Sequence, residues 1–140
     1  MKKTFLFFFL TFQVLIFSQT NKAIHIYNNR NENLDLAILS LAELKNSANS
    51  NGNRLLTNSL LALTYITKKD YAKTKEYIKE AQKFSKNGQI SEGEAFLLYA
   101  SARLYLVLDD DVISSKYFLE SLKMFKSLII MPMRVILLYV

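Results

Sequence analysis

The residues best suited to chemistry are few and scattered along this chain. It has one histidine, His25, and no cysteine, which excludes a disulfide, a thiolate metal site and a cysteine nucleophile. A single histidine makes neither an ordinary zinc site nor a convincing Ser-His-Asp arrangement, so we expect His25 to be a partly exposed helix residue. The run Asp109-Asp110-Asp111 lacks the spaced ligands and the glycine of a calcium loop, so we expect it to form a turn and cap a helix.

No other motif points to catalysis. The chain has three glycines, and they form no phosphate-binding loop. Tyrosine and phenylalanine recur at helical spacing, which is more typical of a hydrophobic core than of a cofactor site. The sequence therefore predicts a protein that is not an enzyme and that holds no cofactor and no metal.

Charge is distributed unevenly, with a formal excess of +6. Seven lysines lie between Thr67 and Lys86, whereas Arg103 is the one basic residue among five acidic residues between Asn87 and Asp111. A nucleic-acid-binding protein more often carries arginines and aromatic residues along one basic face. Lysines at several helical angles are typical of a solvated surface, so we expect no nucleic-acid partner.

The chain repeats itself with a period of forty residues. Residues 62–100 align with residues 102–140, and 11 of the 39 aligned positions are identical. The identities fall at Ala62/Ala102, Tyr65/Tyr105, Asp70/Asp110, Tyr77/Tyr117, Glu80/Glu120, Lys83/Lys123, Lys86/Lys126, Ile90/Ile130, Leu97/Leu137, Leu98/Leu138 and Tyr99/Tyr139. A period of this length is typical of stacked-repeat proteins, whose functions depend on a surface.

Residues 1–19 have the composition of a secretory signal peptide. Lys2 and Lys3 precede a mainly apolar stretch from Phe5 to Phe17, and cleavage after Ser18 would leave a new N-terminus at residue 19. The pattern is similar to secretory signals of the Bacteroidetes group of bacteria and predicts a periplasmic or secreted protein. The alternative is a leader that stays uncleaved and anchors the chain to the membrane.

Apolar residues spaced by three and four positions predict an all-α fold. A lead-in segment, 20–32, precedes helices at about 33–46, 55–67, 71–85, 91–108 and 112–126. Gly88 suits the left-handed conformation that ends a helix, and Ser91 with Glu94 has the spacing of a reciprocal capping box. Asp111 is the expected cap of the last of these helices.

The repeat resembles the tetratricopeptide repeat, a pair of antiparallel helices. The matching positions are Ala62, Tyr65, Asp70, Ile78 and Ala81 in one unit and Ala102, Tyr105, Asp110, Phe118 and Ser121 in the next. The family's glycine between the two helices is replaced by Lys69 and Asp109. The resemblance implies antiparallel helix-turn-helix pairs over 33–127, stacked as a short solenoid.

Residues 128–140 are expected to start an incomplete further repeat. In the repeat register, 135–140 aligns with the helix start at 95–100. A helix without a following partner would leave an uncapped apolar edge. Two alternatives remain: the segment folds back on the chain, or it pairs with a second copy.

The resemblance also implies a concave face that binds a protein or peptide partner. Its expected peptide-binding residues are Leu63, Phe96, Tyr99, Arg103 and Leu106, with Arg103 holding a carboxylate and the aromatic rings taking apolar side chains. The alternative is that a neighbouring unit or 128–140 covers this face. Two functions are therefore considered. The first is an extracytoplasmic binding scaffold, which could form the N-terminal part of a larger sensory or regulatory protein. The alternative is an assembly element that self-associates through its C-terminal edge.

Overall fold

The computed structural model describes residues 18–86 and 88–138, with side chains described as far as Ile129. Six α-helices and no β-strand lie in these residues, which confirms the predicted all-α fold. The helices are α1 (18–28), α2 (Leu34–Asn46), α3 (Asn51–Thr67), α4 (Tyr71–Gln82), α5 (Glu92–Val107) and α6 (Asp111–Leu138). Residues 1–17 of the predicted signal peptide, and 139–140, lie outside the described residues.

The helices stack side by side around α3. Helix α2 packs on α3, α3 on α4, α4 on α5 and α5 on α6, and α3 also packs on α5. Every residue of α3 from Leu55 to Thr64 is buried, because α3 is enclosed by α1, α2, α4 and α5. The short turns at 68–70 and 108–110 make α3–α4 and α5–α6 two antiparallel pairs.

Polar side chains set the starts of the helices. Asn33, Ser50, Asp70 and Ser91 each accept a hydrogen bond from the backbone N–H three residues further on. Asp110 does the same at the start of α6. Each bond satisfies a backbone donor that has no partner within its helix.

The two tyrosine pairs show that the forty-residue repeat is structural. Tyr65 stacks on Tyr77 with ring centroids 5.4 Å apart, and Tyr105 stacks on Tyr117 at 5.7 Å. The two ring planes are inclined to each other by 11° in the first pair and by 14° in the second. The repeat register therefore places corresponding residues in corresponding environments.

The contacts between the two helices of each pair also repeat. The Thr74 hydroxyl lies 3.5 Å from the Ala62 carbonyl oxygen, and the Ser114 hydroxyl donates to the Ala102 carbonyl at 2.9 Å. All four side chains are buried. Small residues at these positions let the helices of a pair approach closely.

Both tight turns contain a non-glycine residue in the left-handed region, Lys69 with φ 63° and Asp109 with φ 58°. In each turn the following aspartate N–H, of Asp70 or Asp110, bonds the carbonyl of the tyrosine five residues earlier. This is the hydrogen-bond pattern of a Schellman motif. The turn geometry is retained although the glycine is replaced.

Helix α6 differs from its predicted bounds at both ends. Its N-cap is Asp110 and not Asp111, which is the first helical residue. Its predicted end at Lys126 is wrong, because the helix continues to Leu138 and no new helix begins at 135. In the first unit α4 ends already at Gln82, and Gly88, with φ 83°, lies in the loop that follows it and does not cap the helix; Leu122 and Leu128, which suit a helix better than glycine does, stand at the corresponding positions of α6. Pro132 removes one backbone donor, and the helix tolerates that loss here.

Candidate functional site

Four of the five predicted peptide-binding residues form one stripe along α5. Phe96, Tyr99, Arg103 and Leu106 are spaced by three, four and three residues, so they share a face of the helix. Leu63 does not join them, because it lies on α3 and is only 2% exposed in the core. The structure therefore brings together the part of the predicted site that lies on α5.

The stripe forms one wall of an apolar cleft of about 360 Å³ between α5 and α6. The cleft is lined by Phe96, Tyr99, Phe118, Ser121, Leu122 and Phe125. Phe96 meets Phe125 edge-on with ring centroids 5.1 Å apart, and the ring centroids of Tyr99 and Phe118 are 5.7 Å apart. These aromatic contacts fix the walls, whereas Leu122 on α6 is 51% exposed at the opening. Sequence reasoning missed the α6 wall, although the spacing Phe118, Leu122, Phe125 and Ile129 was a helical stripe that could have shown it.

Arg103 lies at the side of the cleft. Its Nη1 donates to the Tyr99 hydroxyl at 3.2 Å, and its guanidinium carbon lies 5.9 Å from the Tyr99 ring centroid. The ion pairs among the described residues are Lys68–Asp35, Lys73–Glu76 and Lys83–Glu80, so Arg103 belongs to none of them. A guanidinium has five N–H donors, which leaves donors for a carboxylate.

Helix α1 covers part of Phe96, which is one wall of the cleft. The Tyr27 ring is buried and meets Phe96 edge-on, with ring centroids 6.0 Å apart, and the guanidinium carbon of Arg30 lies 4.0 Å from the Tyr27 ring centroid. Burial raises the pKa of the Tyr27 hydroxyl, and the positive charge of Arg30 opposes this by a smaller amount. The predicted alternatives for a cover were a neighbouring unit or 128–140, and α1 was not among them. The spacing of Ala23 and Tyr27 was the signal for its buried face.

Glu94 is the buried carboxylate nearest to the start of α5. It accepts from the Ser85 hydroxyl at 2.8 Å and from the Lys86 N–H at 2.6 Å, and so ties α5 to the loop that follows α4. The predicted capping box is half correct: the Ser91 hydroxyl accepts from the Glu94 N–H at 3.2 Å, but the carboxylate bonds the preceding loop. Its role here is structural.

The residues first considered for chemistry remain apart. His25 lies exposed on α1, with Asn29 Nδ2 3.2 Å from its Nε2. Asp109 and Asp110 form the α5–α6 turn. Within the described ranges, no group of three histidine, aspartate or glutamate side chains is arranged to hold a metal ion.

Comparison with models of protein families, with curated proteins and with solved structures finds no match in any of the three. Among the helices of the described residues, none combines the length and apolar character needed to cross a membrane.

Proposed function

We propose that this chain is a tetratricopeptide-like scaffold that acts outside the cytoplasm and binds a protein or peptide partner in the α5–α6 cleft. The observation that carries the proposal is the cleft itself, which has aromatic walls and an exposed leucine at its opening. Grooves between helices that present apolar walls and few polar groups are typical sites for a partner's side chains. The leader-like composition of 1–19 supports a periplasmic or secreted location.

Arg103 gives the proposed site its polarity. The guanidinium stands beside the apolar walls, and a partner carboxylate would form a charge-assisted hydrogen bond there. The Leu106 side chain, 46% exposed, extends the same stripe beyond Arg103. We therefore expect the partner to combine apolar side chains with at least one acidic group.

The test is chemical crosslinking in the producing cells, followed by mass spectrometry of the crosslinked protein. A photoreactive residue at position 122 should capture a partner protein, and Arg103→Glu should weaken that capture several-fold. A photoreactive residue at the exposed Leu36 of α2 is the matched control. If positions 122 and 36 give the same crosslinks, or if none form, the cleft is not the binding site.

Location has a separate test. Cell fractionation should place the protein outside the cytoplasm, and its N-terminal sequence should begin at Gln19 if the leader is cleaved. A cytoplasmic protein that retains Met1 would contradict the proposed location but would leave the cleft proposal standing.

Self-association is the second candidate function, and the exposed side of α6 favours it. Leu119, Leu122 and Ile129 are large apolar residues exposed on that helix. If a second copy covers them, sedimentation of the purified protein should show a dimer or larger species that deletion of 128–140 disrupts. Arg103→Glu should leave that assembly intact, which separates it from peptide binding.

A further inference from the structure

The α5–α6 cleft has a filled counterpart one repeat earlier. Its lining residues stand forty positions after Leu56, Ser59, Ile78, Ala81, Gln82 and Ser85 of the α3–α4 groove. In that earlier groove Leu56, Ser59 and Ala81 are buried, because α5 packs against both α3 and α4. The repeat therefore identifies the kind of element that a groove at these positions accepts, which is a single α-helix.

The face of α5 that packs into the earlier groove alternates small and large residues. Gly93, Leu97, Ala100 and Leu104 are buried and spaced by four, three and four positions, so they share one face. At Gly93 the helices touch, since a Cβ there would lie 2.8 Å from the Leu55 Cγ. The Ser59 hydroxyl also lies 3.5 Å from the Gly93 carbonyl oxygen.

The walls of the α5–α6 cleft carry larger side chains than those of its counterpart. Four positions change from Leu56, Ser59, Ile78 and Ser85 to aromatic residues: Phe96, Tyr99, Phe118 and Phe125. Larger walls leave less room for the side chains of an incoming helix, because packed interfaces have no spare volume. A helix that fits this cleft must therefore be smaller on its contact face than α5 is.

We propose that the α5–α6 cleft binds one α-helix of a partner protein, whose contact face carries Gly, Ala or Ser at positions i, i+4, i+7 and i+11. This inference rests on the proposed function and specifies the partner's chemistry. The helix lies on the cleft as α5 lies on the α3–α4 groove, with its small residues against the aromatic walls. Leucines on that face, like those at positions 97 and 104 of α5, should fit less well against the aromatic walls than small residues do.

The test uses two labelled synthetic peptides and the purified full-length protein. Both peptides have the sequence of residues 91–108 with Glu94→Ala, which removes a carboxylate that the cleft could not pair; one is otherwise unchanged, and the other also carries Leu97→Ala and Leu104→Ala, which give its contact face only small residues. Fluorescence anisotropy measures binding of each peptide. The small-faced peptide should bind at least tenfold more tightly than the peptide that keeps Leu97 and Leu104.

Two protein variants locate the site. Leu122→Asp places a charge at the mouth of the cleft and should weaken binding of the small-faced peptide at least tenfold. Leu36→Asp is the matched control, because Leu36 is 57% exposed on α2, away from the cleft. This variant should bind the peptide as tightly as the unchanged protein does.

The other outcomes overturn the inference in different ways. Equal or tighter binding of the peptide that keeps Leu97 and Leu104 refutes the size argument. If neither peptide binds although position 122 still crosslinks to a partner in cells, the occupant is not a small-faced helix but the proposed function survives. If Leu122→Asp instead dissociates an oligomer, the occupant is a second copy of this chain.

Discussion

Two glycines at equivalent helix positions give a sharp test of the packing between α3 and α5. Gly52 and Gly93 are each the second residue of a helix that starts after a serine N-cap. A Cβ added at Gly52 meets nothing closer than 4.0 Å, whereas one at Gly93 lies 2.8 Å from the Leu55 Cγ and 3.2 Å from the Leu56 backbone nitrogen. The Leu56 nitrogen belongs to the backbone of α3, so rotation of a side chain cannot remove that contact.

The two alanine variants should therefore shift stability in opposite directions. Gly52→Ala should raise the free energy of unfolding by about 0.5–1 kcal/mol, because alanine has the higher helix propensity and a less flexible unfolded chain. Gly93→Ala gains the same amount but also incurs an overpacking cost of about 1–3 kcal/mol. The helix contribution cancels between the variants, so their difference of about 1–3 kcal/mol measures the overpacking alone.

Urea denaturation followed by far-UV circular dichroism measures both variants against the unchanged protein. In thermal unfolding the difference corresponds to roughly 4 °C for each kcal/mol. If Gly93→Ala proves as stable as Gly52→Ala, then α3 and α5 do not approach as closely as described, and the stacking of the two units would have to be abandoned.

Three further predictions concern the loops and the α1 cover. Glu94→Ala should lower the free energy of unfolding by about 2 kcal/mol, because it leaves the Ser85 hydroxyl and the Lys86 N–H without an acceptor. Glu94→Gln keeps an acceptor oxygen and should lower the free energy of unfolding less, which urea denaturation measures. Lys69→Gly should stabilise the protein by about 0.5–1 kcal/mol in the same assay, because lysine is strained at positive φ, and Asp109→Gly should gain less because aspartate tolerates that conformation. Burial raises the pKa of the Tyr27 hydroxyl in the folded protein above its unfolded value of 10.0. The stability that comes from keeping this hydroxyl protonated is therefore complete below pH 10 and is lost as the pH rises through the folded pKa. The free energy of unfolding of Tyr27→Phe should therefore fall less steeply than that of the unchanged protein above about pH 10.

The elements that could be predicted are those with a strong local signal. Apolar periodicity located α2 to α5 within a few residues, and the repeat register paired Tyr65 with Tyr105 before any contact was known. The end of α6 could not be predicted in the same way, because the repeat suggested a break after residue 126 and the helix continues through that point. Leu122 and Leu128 stand where the first unit has Gln82 and Gly88, and α6 remains helical at both positions.

The candidate site was only half predictable for a similar reason. The resemblance indicated one face of successive helices, so it identified Phe96, Tyr99 and Arg103 together with Leu63. Which of these residues remain accessible depends on contacts between distant segments. Tyr27 of α1 reaches Phe96 across 69 positions of sequence, and no local pattern encodes that distance.

The two grooves also show why a repeat need not make its units interchangeable. At the first groove Ser85 donates to Glu94 of the incoming helix, which fixes that helix by a polar bond as well as by its shape. Forty residues later Phe125 replaces this donor, so the α5–α6 cleft offers an incoming helix an aromatic surface at that point. A helix with a glutamate there would have to bury its charge without a partner, at a cost of several kcal/mol. The change from serine to phenylalanine therefore excludes a helix like α5 from the second groove and favours one that is apolar at this position.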